Sequence, residues 1–101
     1  MKQLVLRDKD LAVLRAAFKR FPVVREVRVF GSRADGSAAR ASDIDLAIDA
    51  PGATAGEWSD VCEALEEAPI IYQLDVVRKD ILGNARLLER IEEDGIRVYP
   101  E

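Results

Sequence analysis

Apolar residues recur at helical spacing between Asp8 and Phe21, where Leu11, Leu14, Phe18 and Phe21 share one face and Lys and Arg fall elsewhere. Asp8 or Asp10 is placed to cap the start of this helix, and Pro22 to end it. Arg25–Phe30 changes period: Val27 and Val29 point one way, Arg28 and Phe30 the other, as in a strand. Ser32–Ala39 is a run of small residues that reads as a turn entering a short helix. Asp43–Asp49 alternates strictly, with Ile44, Leu46 and Ile48 on one face and Asp43, Asp45, Ala47 and Asp49 on the other. Ala50-Pro51-Gly52 terminates this strand.

Thr54-Ala55-Gly56-Glu57 fits a capping box, and Trp58, Val61, Cys62 and Leu65 follow as an apolar stripe. That stripe assigns Trp58 and Cys62 to the core rather than to a ligand site, and leaves Glu57, Asp60, Glu63, Glu66 and Glu67 as a solvated face. Ile70–Val77 reads as a third strand, with Leu74 and Val76 on one face and Gln73, Asp75 and Val77 on the other. Asp80 is placed to cap a last helix carrying Ala85, Leu88 and Ile91, with Gly95 at its C′ position. Ile96–Tyr99 is a short final strand, at an edge because Pro100 follows. The alternation of helices and strands predicts an α/β domain of the α+β type. Its small mixed sheet carries helices mainly on one face, and the face with Asp43, Asp45 and Asp75 is open.

The 101 residues suffice for one domain, taken as 1–101, and no apolar run approaches the roughly 20 residues that span a bilayer. Met1–Lys9 has no signal-peptide apolar core, and the single cysteine, Cys62, permits no internal disulfide, so a cytoplasmic location is the default expectation. The absence of histidine excludes Ser-His-Asp and Cys-His catalysis and histidine-ligated zinc. Acid–base and metal chemistry therefore falls to Asp and Glu, which favour Mg²⁺ or Mn²⁺. The net charge of −4 argues against non-specific nucleic-acid binding. It is unevenly spread: residues 1–42 carry ten basic and four acidic side chains, and residues 43–101 carry five and fifteen. The basic first half can attract a small phosphorylated ligand.

Aspartate is disfavoured in strands, and like charges on one face repel. Asp43 and Asp45 nonetheless share a face, with Cα atoms about 6.5–7 Å apart, close enough to lean onto one cation or a close pair. Asp75 joins them if the third strand pairs beside the second, and three carboxylates on adjacent strands suit a two-metal site. Asp49 is in phase but lies beside Pro51 at the strand end and reads as structural or exposed. Upstream, Gly31 follows a strand directly and permits close approach to a ligand; Ser32 offers a hydroxyl, and Arg33 offers charge-assisted bonds to phosphate. No Gly-Lys-Ser/Thr follows, so this is not a Walker A loop. Arg40 is read as a loop charge.

Gly31-Ser32-Arg33-Ala34-Asp35-Gly36, a short loop and Ser42-Asp43-Ile44-Asp45-Leu46-Ala47-Ile48 together resemble the signature of the DNA polymerase beta nucleotidyltransferase superfamily. The closer likeness is to the minimal nucleotidyltransferases of bacteria and archaea, and it runs from about Val27 to Tyr99, including Gln73-Leu74-Asp75-Val76-Val77. The resemblance implies a palm-like fold. It implies nucleotide phosphates at Gly31 and Ser32, with Arg33 and Ser42 beside them, and metal at Asp43 and Asp45. Asp75 would be the third metal ligand and the base for the acceptor hydroxyl. The implied reaction is Mg²⁺- or Mn²⁺-dependent transfer of NMP from an NTP, ATP foremost, to a hydroxyl, with release of pyrophosphate.

Many such minimal enzymes act with a helical partner of the HEPN or substrate-binding-subunit type, some as antitoxins that adenylylate it. A palm this small leaves the acceptor, or part of its site, to a second protein; a homo-oligomer is a further expectation, and the sequence does not name the oligomeric state. Asp35 departs from the pattern, since that position is often basic in relatives. A carboxylate there weakens triphosphate binding unless it points away or meets Arg33 or Arg40. Two alternatives remain: a catalytically weak nucleotide-binding module acting mainly on its partner, and a nucleotide sensor without transfer.

Overall fold

In the computed structural model, residues 3–38 and 42–101 are described. The elements are α1 (Asp8–Lys19), β1 (Glu26–Phe30), α2 (Ser32–Asp35), β2 (Ile44–Asp49), α3 (Ala55–Glu67), β3 (Leu74–Arg78), α4 (Ala85–Asp94) and β4 (Ile96–Tyr99), with a 3₁₀ turn at Lys79–Ile81 before α4. The sheet order is β3-β2-β1-β4. β1 pairs antiparallel with β2 and β4, and β2 pairs parallel with β3, which makes the sheet mixed. A parallel pair needs a long crossover, and α3 supplies it. Arg40 lies outside the described residues. None of the described helices is long and apolar enough to cross a membrane.

Period-two alternation decides which side of the sheet is core. Val27, Val29, Ile44, Leu46 and Ile48 are fully buried against Leu14 and Phe18 of α1 and Val61 and Leu65 of α3. Trp58 packs partly buried against the same cluster. Burial, with Glu66 nearby, pushes the Cys62 thiol pKa up, which suits packing and not a nucleophile. The expected capping box forms: Thr54 Oγ1 accepts from the Glu57 amide at 3.1 Å, and Glu57 Oε1 accepts from the Thr54 amide at 2.9 Å.

The opposite face is only partly open. Phe30, Ala47 and Ile91 form a second cluster, with Val77, Leu82 and Leu87 against it. α4 therefore lies over this face and leaves Ala47 only 1% exposed. The expected open Asp face is confined to the end carrying Asp43, Asp45 and Asp75. The sequence pattern pointed to Leu88 and Ala85, but Ala85 is exposed and Leu87 makes the contact with Ile91.

Three capping expectations are corrected. α1 begins at Arg7 without a side-chain cap; Asp10 is instead fully buried and held by Arg7 through Nε at 2.7 Å and Nη2 at 3.1 Å. Asn84, not Asp80, caps α4 by accepting from the Leu87 amide, while Asp80 accepts from the Ala50 amide and from Arg78. Gly95 ends α4 at φ −64° rather than in the left-handed region; it is buried, and a Cβ there would collide with the Ile91 carbonyl. The third strand starts at Leu74 and not at Ile70, because the chain bends at Ile71–Tyr72 before it.

Candidate active site

At the end of β1 the chain leaves the sheet through Gly31, at φ 71° and ψ −150°. This backbone region is essentially reserved for glycine. Gly31 also abuts β2: a Cβ added there would overlap Asp45 Oδ2 and stand 3.3 Å from Asp45 Cγ. The turn and the carboxylate are thus in contact, and the absent side chain is what permits it. Gly36, at φ 85°, ends α2 in the left-handed conformation.

The parallel ladder sets Asp45 opposite Asp75. Asp45 is half-buried, whereas Asp43 and Asp75 are exposed. Burial pushes the Asp45 carboxyl pKa up, the charges of Asp75 and Asp43 push the same way, and a hydrogen bond shared with Asp75 adds to it. Arg90, on α4, opposes them. The three expected carboxylates therefore form one electrostatic group. Asp49 is sorted away from it: it is 7% exposed and paired with Arg25 at 2.9 Å from Nε and 2.5 Å from Nη2.

An all-oxygen donor set suits a hard cation. Among the described residues, however, no three acidic or cysteine side chains close on a single metal position as they stand. The arrangement fits a cation that takes one or two carboxylates and completes its shell with water and phosphate oxygens, as Mg²⁺ does. In that case Asp43, Asp45 and Asp75 are the residues that would hold it.

Arg33 is placed away from the open side of the turn. It is 3% exposed; Nε and Nη2 donate to the Ser42 carbonyl at 2.9 and 2.6 Å, and Nη1 donates to the Val5 carbonyl at 2.8 Å. Its guanidinium also lies over the Tyr72 ring, 4.4 Å from the centroid. The guanidinium expected at the phosphate is engaged by backbone in this structure: Arg33 ties the N-terminal segment to Ser42, at the entry to β2. That segment also pairs with α2, through Gln3 N to Ala34 O at 2.9 Å and Val5 N to Arg33 O at 2.8 Å. Arg33→Ala is expected to lower stability by about 2–4 kcal/mol, because the buried guanidinium is lost from three hydrogen bonds to two half-buried carbonyls. Urea unfolding measures this, and an unchanged midpoint would show the strut to be dispensable.

Asp35 meets neither Arg33 nor the open turn. It is exposed and accepts from the Ser37 amide at 2.8 Å and the Ser37 hydroxyl at 2.5 Å; the hydroxyl, then the amide, hold its pKa below the usual carboxylate value. Ser32 is half-buried at the head of α2, and Ser42 is half-buried just before Asp43. A groove of about 420 Å³ between α3 and β3, lined by Cys62, Leu65, Glu66, Tyr72, Gln73 and Leu74, lies on the helix side of the sheet and does not include Asp43, Asp45 or Asp75.

Carboxylates on neighbouring strands, with a glycine turn pressed against one of them, define the class as a nucleotidyltransferase domain. The chain belongs to the polymerase beta nucleotidyltransferase family, whose model matches residues 12–101. Among solved structures, the fold is similar to a chain in the crystal structure of the toxin–antitoxin MntA–HpeT, there a mutant with two aspartates changed to glutamate. That likeness has a TM-score of 0.63 at 18% identity, and covers 93% of this chain and 73% of the other. No curated protein matches the chain.

Proposed function

We propose that this nucleotidyltransferase moves NMP from a Mg²⁺-bound NTP, ATP foremost, to a hydroxyl on a helical partner protein, in the manner of an antitoxin. The observation that carries this reading is the contact of Gly31 with Asp45, which joins the phosphate turn to the carboxylate group. The MntA–HpeT pair supports the partner, and the two aspartates altered in that structure are spaced as Asp43 and Asp45 are.

Gly31, Ser32 and Ser42 hold the nucleotide phosphates, and Asp43, Asp45 and Asp75 hold the divalent cation. When bound, the cation neutralises phosphate charge and polarises the reacting oxygens. The acceptor oxygen attacks the α-phosphorus; its proton passes to Asp75, the exposed edge-strand carboxylate; the bond to the β-phosphate oxygen breaks, and pyrophosphate leaves. One observation favours the alternative of a nucleotide-binding module that acts mainly on its partner: the carboxylates, as they stand, do not close around a single cation.

Calorimetry with MgATP tests the site. Asp43→Ala combined with Asp45→Ala is expected to weaken binding at least about tenfold, given loss of the paired carboxylates. Unchanged binding would remove the metal-site assignment. Pyrophosphate release on adding the product of the adjacent gene separates transfer from mere binding.

A further inference from the structure

A triphosphate brings several negative charges to a site that already holds three carboxylates. A divalent cation offsets part of that charge, and a basic side chain is needed for the tail. Arg33, the basic residue nearest the turn in sequence, is buried and engaged by backbone carbonyls. Several other arginines are engaged as well: Arg7 with Asp10, Arg25 with Asp49, Arg28 with Glu26 and Arg78 with Asp80. Arg90 differs. It is exposed, and among the described residues no hydrogen bond or ion pair holds its guanidinium.

Its position is fixed by its neighbour in the chain. Ile91 is fully buried between Phe30 and Ala47, which anchors this turn of α4 over the sheet face that carries the aspartates. Phe30 immediately precedes Gly31, so the same anchor lies beside the start of the phosphate turn. Arg90 lies within electrostatic reach of Asp45, beneath Gly31, and of Asp35, at the far end of α2. With Ile91 seated against Phe30, Arg90 stands on the helix that flanks the start of the Gly31–Gly36 turn.

We propose that Arg90 is a phosphate-binding residue of this site, contacting the β- and γ-phosphates of the nucleotide from α4. This rests on the nucleotidyltransferase reading above. The contact places α4 in the site as a wall, and it supplies the positive charge that Arg33 does not deliver.

The test uses the whole chain with Mg²⁺ and two probes, ATP and inorganic tripolyphosphate. Arg90→Gln is expected to weaken both about 10–100-fold, the scale of a lost charge-assisted contact. It should affect AMP much less, because AMP lacks the β- and γ-phosphates. Arg90→Lys should restore part of the affinity. Arg86→Gln, one turn earlier on the same helix, should change neither probe. An unchanged thermal midpoint of free Arg90→Gln confirms that α4 still packs. If Arg90→Gln binds tripolyphosphate as the native chain does, while Asp43→Ala with Asp45→Ala loses MgATP, the role of Arg90 is overturned and the nucleotidyltransferase reading stands. If the native chain binds neither probe, that reading falls, and the role of Arg90 falls with it.

Discussion

Gly31→Ala is expected to lose about 2–4 kcal/mol of stability and to reduce nucleotidyl transfer about 100-fold. Two separate effects meet at this position. An L residue at φ 71° and ψ −150° is strained by about 1–3 kcal/mol. The new methyl group would also overlap Asp45 Oδ2, so either the turn or the carboxylate must move. A displacement of about 1 Å at a reacting centre is enough for a hundredfold effect. Gly52→Ala gives the cost of positive φ without a collision: Gly52 has φ 81°, and its Cβ would meet nothing within 4 Å. Urea unfolding of both variants, with calorimetry against MgATP, separates strain from collision. If Gly31→Ala is no worse than Gly52→Ala in stability and keeps its affinity, the contact between turn and carboxylate is without functional weight.

Asp45→Asn is expected to abolish transfer while making the free protein more stable. The folded state holds the Asp45 carboxyl pKa above its ordinary value, through burial first and then through Asp75 and Asp43. A raised carboxyl pKa means that the folded chain binds this proton more tightly than the unfolded chain does. The associated stability is therefore full below the ordinary aspartate pKa and is lost as pH rises through the raised value. At neutral pH, without divalent cation, Asp45 is a charged group in repulsion with its neighbours. Removing one like charge from a sheet face relieves about 0.5–1 kcal/mol, or about 2–6 °C in a domain of this size. Thermal unfolding in EDTA across pH measures it: the native chain and Asp45→Asn should converge in acid and diverge toward neutrality, with the variant higher. Mg²⁺ should raise the midpoint of the native chain more than that of the variant. A variant less stable than the native chain at pH 7 would remove the repulsion from the account.

The strands were legible where side chains alternate without exception. Ile44, Leu46 and Ile48 forced β2 into the core, and that alone set Asp43 and Asp45 on the other face. The α3 capping box and its stripe were readable for the same local reason. The partners of Arg33 were not legible, because a guanidinium beside a glycine turn looks the same in sequence whether it meets phosphate or backbone carbonyls. Its partners, Val5 and Ser42, lie on either side of it in the chain and come together only in the fold. Arg90 gave no signal at all, since it falls on a charged helix among Glu89, Glu92 and Glu93. The partial covering of the Asp face was hidden because Phe30 and Ala47 looked like ordinary members of alternating strands, and only the return of α4 gives them a partner.

The parallel pairing that sets Asp75 against Asp45 makes the chemistry depend on residues that never approach it. A slip of β3 by one position would carry Asp75 into the helix layer and swing Leu74 and Val76 into water. Leu74 and Val76, packed against the main core, are what forbid that slip. The reacting geometry is thus indexed by hydrophobic packing on the far side of the strand, and an error in that packing would be read out first as an error in catalysis.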